Sequence, residues 1–219
     1  MSDVTTQAAP TGASDAVVTS TGATISGVDT AGGALSVVIL NGSPSEASKT
    51  VTLAQLAADT AASRFPTHLT RVDVYGLGPD LTSAVTRSQV GQLAEAALTA
   101  VESADLLLVA VPTFRGSYPG IFKHFVDLLD LYGVAGTPTV LMATGGSERH
   151  SLMIDHELRP LFAFLQAFVA PSGIYVASES FDGTAILDPR VHSRIQVSID
   201  DLTPLLQARL SARAGDSAA

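Results

Sequence analysis

Cysteine is absent from all 219 residues of the chain. This absence excludes disulfide bonds, thiolate nucleophiles, Cys-ligated zinc and iron–sulfur clusters, and it suits a reducing cytoplasm. Basic residues are scarce: 12 Lys and Arg stand against 21 Asp and Glu, so the formal net charge is −9. Because nucleic acids and anionic membranes bind basic surfaces, we expect neither as a partner. No apolar run reaches the roughly 18 residues that span a bilayer, so no transmembrane segment is predicted.

Aromatic residues are missing from the first 34 positions, and no Lys or Arg occurs before Lys49. A signal peptide needs a basic start and a continuous apolar stretch, and this segment has neither. A composition rich in Ser, Thr, Gly and Ala buries too little apolar surface to offset the entropy of ordering. We therefore predict a flexible tail over 1–34, one domain over 35–213 and a frayed C-terminus over 214–219.

From residue 35 onward, short apolar runs alternate with segments of helical periodicity. The predicted strands are 36–40, 69–75, 104–112, 138–144 and 172–177. The first predicted helix has apolar residues at helical spacing from Val51 to Ala57 and is closed by Pro66, and the other predicted helices are 88–102, 120–131, 151–168 and 189–213. The fourth helix should bend near Pro160, and residues 80–87 are interpreted as a connecting loop. Continuously apolar strands are typical of parallel sheets covered on both faces. The alternation requires right-handed crossovers and predicts a doubly wound α/β domain.

Ligands of such sheets bind beyond the carboxyl ends of the strands, near the point where the strand order reverses. The loop after the first strand carries four hydroxyls and one cation, Lys49, directly before a helix. Backbone N–H groups and the helix dipole make such a place suitable for phosphate. The loop has neither the Walker A spacing nor the glycines of a dinucleotide fingerprint. An ordinary Ser-rich helix cap stays open as the alternative.

The loops after the third and fourth strands suit a flat ligand. Residues 112–120 offer Phe114, Arg115 and flexible backbone, and residues 144–150 offer Gly145 and Gly146, where a ring can approach the main chain closely. Phosphate at one loop and a ring edge at two others describes flavin mononucleotide (FMN).

Three sequence runs resemble a known family. They are Gly42-Ser-Pro44 with Ser48-Lys-Thr50, Pro112-Thr-Phe-Arg115 with Tyr118-Pro-Gly120, and Ala143-Thr-Gly-Gly146. The chain is similar over about 36–182 to the NAD(P)H-dependent FMN reductases, especially those of two-component monooxygenase systems such as the alkanesulfonate type. The resemblance implies the flavodoxin-like fold, with five parallel strands in the order 2-1-3-4-5 and helices on both faces.

The resemblance also implies which residues bind the flavin. Ser43, Ser48, Lys49 and Thr50 would hold the FMN phosphate, and Pro112, Thr113, Phe114, Arg115, Thr144, Gly145, Gly146 and Ser147 would border the isoalloxazine. Tyr118 corresponds to a tyrosine that opens a π-helical turn at a tetramer interface and that is linked to flavin transfer. Two positions depart from the family. Phe114 stands where these reductases often have Tyr, and Lys49 stands where they often have Arg, whose guanidinium binds phosphate with two hydrogen bonds.

The implied activity is hydride transfer from NADH or NADPH to FMN, and reduced flavin would pass to a luciferase-like flavin-dependent monooxygenase. No side chain is assigned as a catalytic acid or base, because the protein's part is orientation. Arg115 and Arg149 are candidates for the phosphates of the pyridine nucleotide. We expect a cytoplasmic homodimer or homotetramer.

Two alternatives share this fold: an FMN-binding electron carrier, and a quinone or azo-dye reductase. Aromatics and acids usually surround the ring of a flavodoxin, whereas these loops carry Arg115 and Arg149, which favours a reductase. A metal site is not expected, since His150 and His156 are six positions apart and face different sides of a helix. Ser147 with His150 lacks the Gly-x-Ser-x-Gly elbow of a hydrolase.

Overall fold

A parallel β-sheet organises the chain. The computed structural model describes residues 33–45 and 47–216, so most of the predicted tail and the last three residues of the chain lie outside the described residues. The strands are β1 (Leu35–Asn41), β2 (Thr67–Asp73), β3 (Leu106–Pro112), β4 (Pro138–Gly145), β5 (Phe168–Val169) and β6 (Ile174–Ala177). Their order is β2-β1-β3-β4-β5, and β6 also pairs with β4. The predicted flavodoxin-like fold is confirmed.

Six α-helices connect and cover the strands in the described part of the chain. They are α1 (Lys49–Ala62), α2 (Pro79–Thr82), α3 (Gln92–Glu102), α4 (Gly120–Asp127), α5 (Arg159–Phe164) and α6 (Pro189–Asp216). The short α2 lies where the sequence predicts a loop, and α3 and α4 are shorter than their apolar periodicity suggests. A small antiparallel hairpin, β7 (Phe181–Asp182) with β8 (Ala185–Ile186), precedes α6. Within the described residues, no helix combines the length and the apolarity that crossing a membrane requires.

The sheet has a separate hydrophobic core on each face. Alternate residues of β1 divide between them, with Val37 and Ile39 on one side and Val38 and Leu40 on the other. The core that contains Val37 and Ile39 packs against α1 and α6, and the core that contains Val38 and Leu40 packs against α3, α4 and α5. Because both faces are covered, β3 and β4 are buried along almost their whole length.

The fifth strand position is filled by two short segments. β5 pairs with Pro138 and Thr139 at the start of β4, and β6 pairs with the last four residues of β4, Met142–Gly145. The single strand predicted over 172–177 therefore begins two residues later, as β6. The short strand β5 precedes it and occupies the other half of the same position in the sheet. Residues 170–173 separate the two, and the guanidinium of Arg159 donates to the carbonyls of Ala170 and Pro171, both at 3.0 Å.

The predicted long helix over 151–168 is interrupted by a π-helical turn at Ile154–Leu158. Arg159 N–H donates to the carbonyl of Ile154, five residues back, and α5 follows. Pro160 lies at the start of α5 and has no N–H for the carbonyl four residues earlier, so regular α-helical bonding cannot continue across this point. The expected bend at Pro160 thus takes the form of a widened turn directly before it.

Asp105 anchors α6 at the amino-terminal edge of the sheet. Its side chain is 8% exposed, accepts a 2.8 Å hydrogen bond from Ser36 N–H and forms an ion pair with Arg213 at 2.6 Å. Arg209 lies 3.6 Å from the same carboxylate. The last turns of the closing helix are thereby attached to the start of β1 and β3.

We expect Asp105→Asn to lower the free energy of unfolding by about 1–3 kcal/mol, because a buried charge-assisted network loses its charge. Urea denaturation at neutral pH measures this change. Asp200→Asn is the matched control, since Asp200 pairs with Arg64 while 61% exposed, and exposed pairs contribute at most about 1 kcal/mol. Equal losses in the two variants would contradict the anchoring role of Asp105.

Candidate active site

Three loops meet at the carboxyl edge of the sheet, as the strand order requires. They follow β1, β3 and β4, which are neighbours in the sheet. Hydrogen bonds continue the pairing past the strand ends: Gly42 N–H donates to Ala110 O at 2.9 Å, and Thr113 N–H donates to Thr144 O at 2.7 Å. The order of strands reverses between β1 and β3, so this edge is the expected ligand position of the fold.

The first loop (residues 42–48) leads into the amino-terminus of α1. Ser48 is the N-cap of the helix, and its hydroxyl accepts from Val51 N–H at 3.2 Å. Lys49 and Thr50 form the first turn, whose N–H groups have no carbonyl partner within the helix and carry the positive end of its dipole. Ser43 is buried within the same loop. The four predicted phosphate residues therefore lie along one loop and one helical turn.

Two of these residues make hydrogen bonds that the sequence does not indicate. The Thr50 hydroxyl lies 2.7 Å from the hydroxyl of Thr144 at the end of β4. Lys49 Nζ donates to Ser178 O at 3.3 Å and lies 5.2 Å from the ring centroid of Phe181. The segment after β6 therefore belongs to the site. In the sequence, only its position after a strand of the same sheet could have indicated this.

The second loop contains a tight hairpin. Phe114 and Ser117 exchange both backbone hydrogen bonds, at 2.8 and 3.1 Å. Arg115 and Gly116 between them have φ values of 53° and 88°, the left-handed pair of a type I′ turn. Such a φ is unusual for a residue with a Cβ and marks strain of the kind found at functional sites. The turn leaves the Arg115 side chain exposed and Phe114 44% exposed.

The hairpin is attached to the π-helical turn behind it. Ser117 Oγ donates to Glu157 Oε2 at 3.0 Å. Tyr118 follows, outside any helix, with its ring 5.8 Å from that of Phe122. The resemblance places Tyr118 at a π-helical turn, but α4 begins after it, and the described π-turn lies at Ile154–Leu158. Pro119 accounts for this position, since a residue before proline is disfavoured in helical conformation.

The third loop is held by Tyr175, which the sequence analysis does not identify. Its hydroxyl donates to Ser147 O at 2.7 Å. Burial raises the pKa of the Tyr175 phenol above its usual value, and the neighbouring Thr113 hydroxyl opposes that shift. The phenol therefore remains a protonated donor at neutral pH. A Cβ at Gly145 would lie 2.0 Å from the Tyr175 oxygen, so this glycine is required by the tyrosine.

The neighbouring Gly146 has a different environment. A Cβ there would meet no atom within 4 Å, so the backbone faces open space. Beside Gly145, the buried Thr113 hydroxyl lies next to the Tyr175 phenol and opposes the rise of its pKa.

Both predicted nucleotide-binding arginines, Arg115 and Arg149, are exposed on the loops at this edge. No cluster of His, Asp and Glu able to hold a metal ion occurs in the part of the chain that the structure describes.

The arrangement fits FMN. The helix amino-terminus with Lys49 suits a dianionic phosphate, and the open backbone at Gly146 suits the edge of a ring. The exposed Phe114 adds an aromatic face. Fold and site together define a flavin-binding protein of the flavodoxin-like class.

Comparison with known proteins narrows this class. The family model of NADPH-dependent FMN reductases matches residues 35–182. A relative from Pseudomonas aeruginosa, an FMN reductase (NADPH), is 39% identical over 173 residues, which are 79% of this chain and 93% of the relative. The NADH-dependent FMN reductase SfnF of Pseudomonas putida is 42% identical over 183 residues, covering 81% of this chain and 96% of SfnF.

Comparison with solved structures points to the same family. An oxidoreductase from Corynebacterium diphtheriae matches with a TM-score of 0.70 and 31% identity over 80% of this chain and 98% of that one. The NADH:FMN oxidoreductase EmoB matches with a TM-score of 0.67 and 30% identity, over 80% and 89% of the two chains. The chain belongs to the NADPH-dependent FMN reductase family, and the resemblance read from its sequence is confirmed. It is an oxidoreductase that uses FMN with NADH or NADPH.

The close approach of Gly145 to Tyr175 predicts coupling between the two positions. Gly145→Ala should destabilise the protein, because the new methyl group overlaps the phenol oxygen. In the Tyr175→Phe background that oxygen is gone and the nearest ring atom is 3.0 Å away, so the same change should cost less. Urea unfolding of the four proteins should give a coupling free energy of about 1 kcal/mol or more. Additive effects would contradict this packing.

Proposed function

We propose that the carboxyl edge of the sheet binds FMN with its phosphate at the first loop and its ring between the second and third loops. Ser43, Ser48, Lys49 and Thr50 hold the phosphate; residues 112–115 and 144–147 border the isoalloxazine. The observation that carries the proposal is the amino-terminus of α1 with Lys49, at the same edge of the sheet as the open backbone of Gly146. A phosphate bound at Lys49 would take the place of the Ser178 carbonyl as its hydrogen-bond acceptor. A hydrogen bond between two charged groups is stronger than one to a neutral carbonyl.

Bound FMN supplies the hydride acceptor, and the protein supplies binding and orientation. The backbone beyond β4, at Gly146 and Ser147, lies where its N–H groups can stabilise negative charge on the ring edge. Tyr175 keeps that backbone in place through Ser147 O. The exposed ring of Phe114 forms one wall of the site. No side chain needs to move a proton to the reacting carbon.

Arg115 and Arg149 bind the phosphates of NADH or NADPH in this proposal. The type I′ turn directs Arg115 outward from the hairpin, and the Ser117–Glu157 hydrogen bond limits the movement of that hairpin. A positioned cation contributes binding to the nucleotide in the ground state and in the transition state alike, so it acts mainly on KM.

The physiological acceptor of the reduced FMN is a flavin-dependent, luciferase-like monooxygenase. The chain is similar over most of its length to SfnF and SfnE of Pseudomonas, whose names describe NADH-dependent FMN reductases. The protein acts as a homodimer or homotetramer in the cytoplasm, where NADH and NADPH are regenerated. Exposed apolar side chains at Tyr132, Phe164 and Phe168 are consistent with contacts between subunits.

The flavin-transfer role is tested by following the nicotinamide absorbance with NADH and with NADPH, each with increasing free FMN. We expect the rate to rise with added FMN and to saturate, since flavin that leaves after reduction must be replaced. A rate independent of added FMN would indicate a permanently bound flavin and would overturn the role. Menadione with catalytic FMN is the control for a quinone reductase, which would prefer the quinone over excess FMN.

Arg115→Ala should raise the KM for the pyridine nucleotide about tenfold and change kcat little, because uniform binding is lost. Arg194→Ala, an exposed arginine of α6, is the matched control and should leave both constants unchanged. Steady-state kinetics at saturating FMN measure the effect. An equal KM in the variant and the parent protein would remove Arg115 from the nucleotide site.

A further inference from the structure

A buried polar chain connects the ends of β1 and β2 to the first loop. Asn41 and Asp73 are the last residues of these strands and are paired in the sheet register. Asn41 Nδ2 donates to Asp73 Oδ1 at 2.7 Å, and Ser43 N–H donates to Asn41 Oδ1 at 3.0 Å. Arg71, two residues earlier on β2, donates from Nε to Asp73 Oδ2 at 2.9 Å.

The carboxylate fixes the direction of this chain. An ionised Asp only accepts hydrogen bonds, so the NH₂ group of Asn41 must face Asp73 and its oxygen must face the loop. Asn41 is fully buried, and Asp73 is 7% exposed, so water cannot substitute for either contact. The orientation of the Asn41 amide, and with it the acceptor for Ser43 N–H, therefore depends on the charge of Asp73.

This acceptor determines the course of the first loop where it leaves β1. Ser43 N–H is directed inward to Asn41, and its buried hydroxyl accepts from Ser45 N–H at 3.4 Å. Gly42 beside it has no room for a side chain, since a Cβ would lie 2.9 Å from Phe122 and Val111. The loop is thus held from below by polar contacts and by packing.

We propose that Asn41 and Asp73 are positioning residues for the FMN phosphate, acting through Ser43 and the first loop without touching the ligand. This inference rests on the proposed phosphate site. The neutral amide introduced by Asp73→Asn cannot satisfy the chain: if its oxygen accepts from Asn41, its own NH₂ group faces the Arg71 guanidinium. If its oxygen accepts from Arg71 instead, the Asn41 amide turns and places a donor against Ser43 N–H.

Asp73→Asn should therefore weaken FMN binding about tenfold, the size of one lost charge-assisted hydrogen bond, and weaken riboflavin binding less than about twofold. Riboflavin has the same ring and no phosphate, so the ratio of the two dissociation constants isolates the phosphate contribution. Quenching of flavin fluorescence by the full-length protein measures both constants without turnover. Asn41→Ala removes the acceptor of Ser43 N–H directly, so it should give a loss of the same kind and decides the matter if Asp73→Asn does not fold.

Asp105→Asn is the matched control: it neutralises another buried aspartate paired with arginines, at the opposite edge of the sheet. It should lower stability and leave the FMN-to-riboflavin ratio unchanged. An unchanged ratio in both Asp73→Asn and Asn41→Ala, or equal losses for the two flavins, overturns the positioning role. If the parent protein itself binds riboflavin as tightly as FMN, the proposed phosphate site is wrong, which separates the two failures.

Discussion

Burial of the central strands on both faces is the constraint on which the rest of the structure depends. Side chains along β3 and β4 must be apolar or satisfied locally, as at Thr139, whose hydroxyl donates to Thr137 O at 2.8 Å. Polar and charged groups that recognise a ligand are therefore confined to the strand ends and the loops beyond them. A parallel sheet brings those ends to one edge, so the first turn of α1 and the loops after β3 and β4 become neighbours in space although they are far apart in sequence.

The parts of this architecture that depend on local pattern are predictable. Continuous apolar runs indicate the buried strands, and Ser48 before Lys49 indicates the start of α1. Prediction fails where a local signal has two outcomes. Pro160 predicts a bend, but whether the helix kinks or widens into a π-turn depends on what satisfies the freed groups. The division of the fifth strand likewise involves a distant contact: Arg159 donates to carbonyls 11 and 12 residues further along the chain, in the segment between β5 and β6.

The site shows the same division. Its loops are predictable because topology places them at one edge of the sheet, and the family resemblance gives the residues that we propose for flavin binding. Tyr175 and Ser178 escape prediction because they act through contacts with Ser147 and Gly145, about 30 residues away, and neither has a distinctive neighbour in sequence. The sequence favours Gly145 as a place for close approach of a ligand, whereas the phenol of Tyr175 already occupies that space. Which atom excludes a side chain at a glycine is information that only three-dimensional packing contains.

The hydroxyl pair of Thr50 and Thr144 has a thermodynamic consequence for ligand exchange. One hydrogen joins the two oxygens, so the hydroxyl that accepts keeps its own O–H and can donate to a ligand oxygen without breaking the pair. When such a ligand departs, the hydrogen bond between the two threonines is still in place, and neither oxygen is left without a partner. The polar groups at this helix end are therefore arranged before a ligand arrives, and its exchange requires no rearrangement of the two side chains.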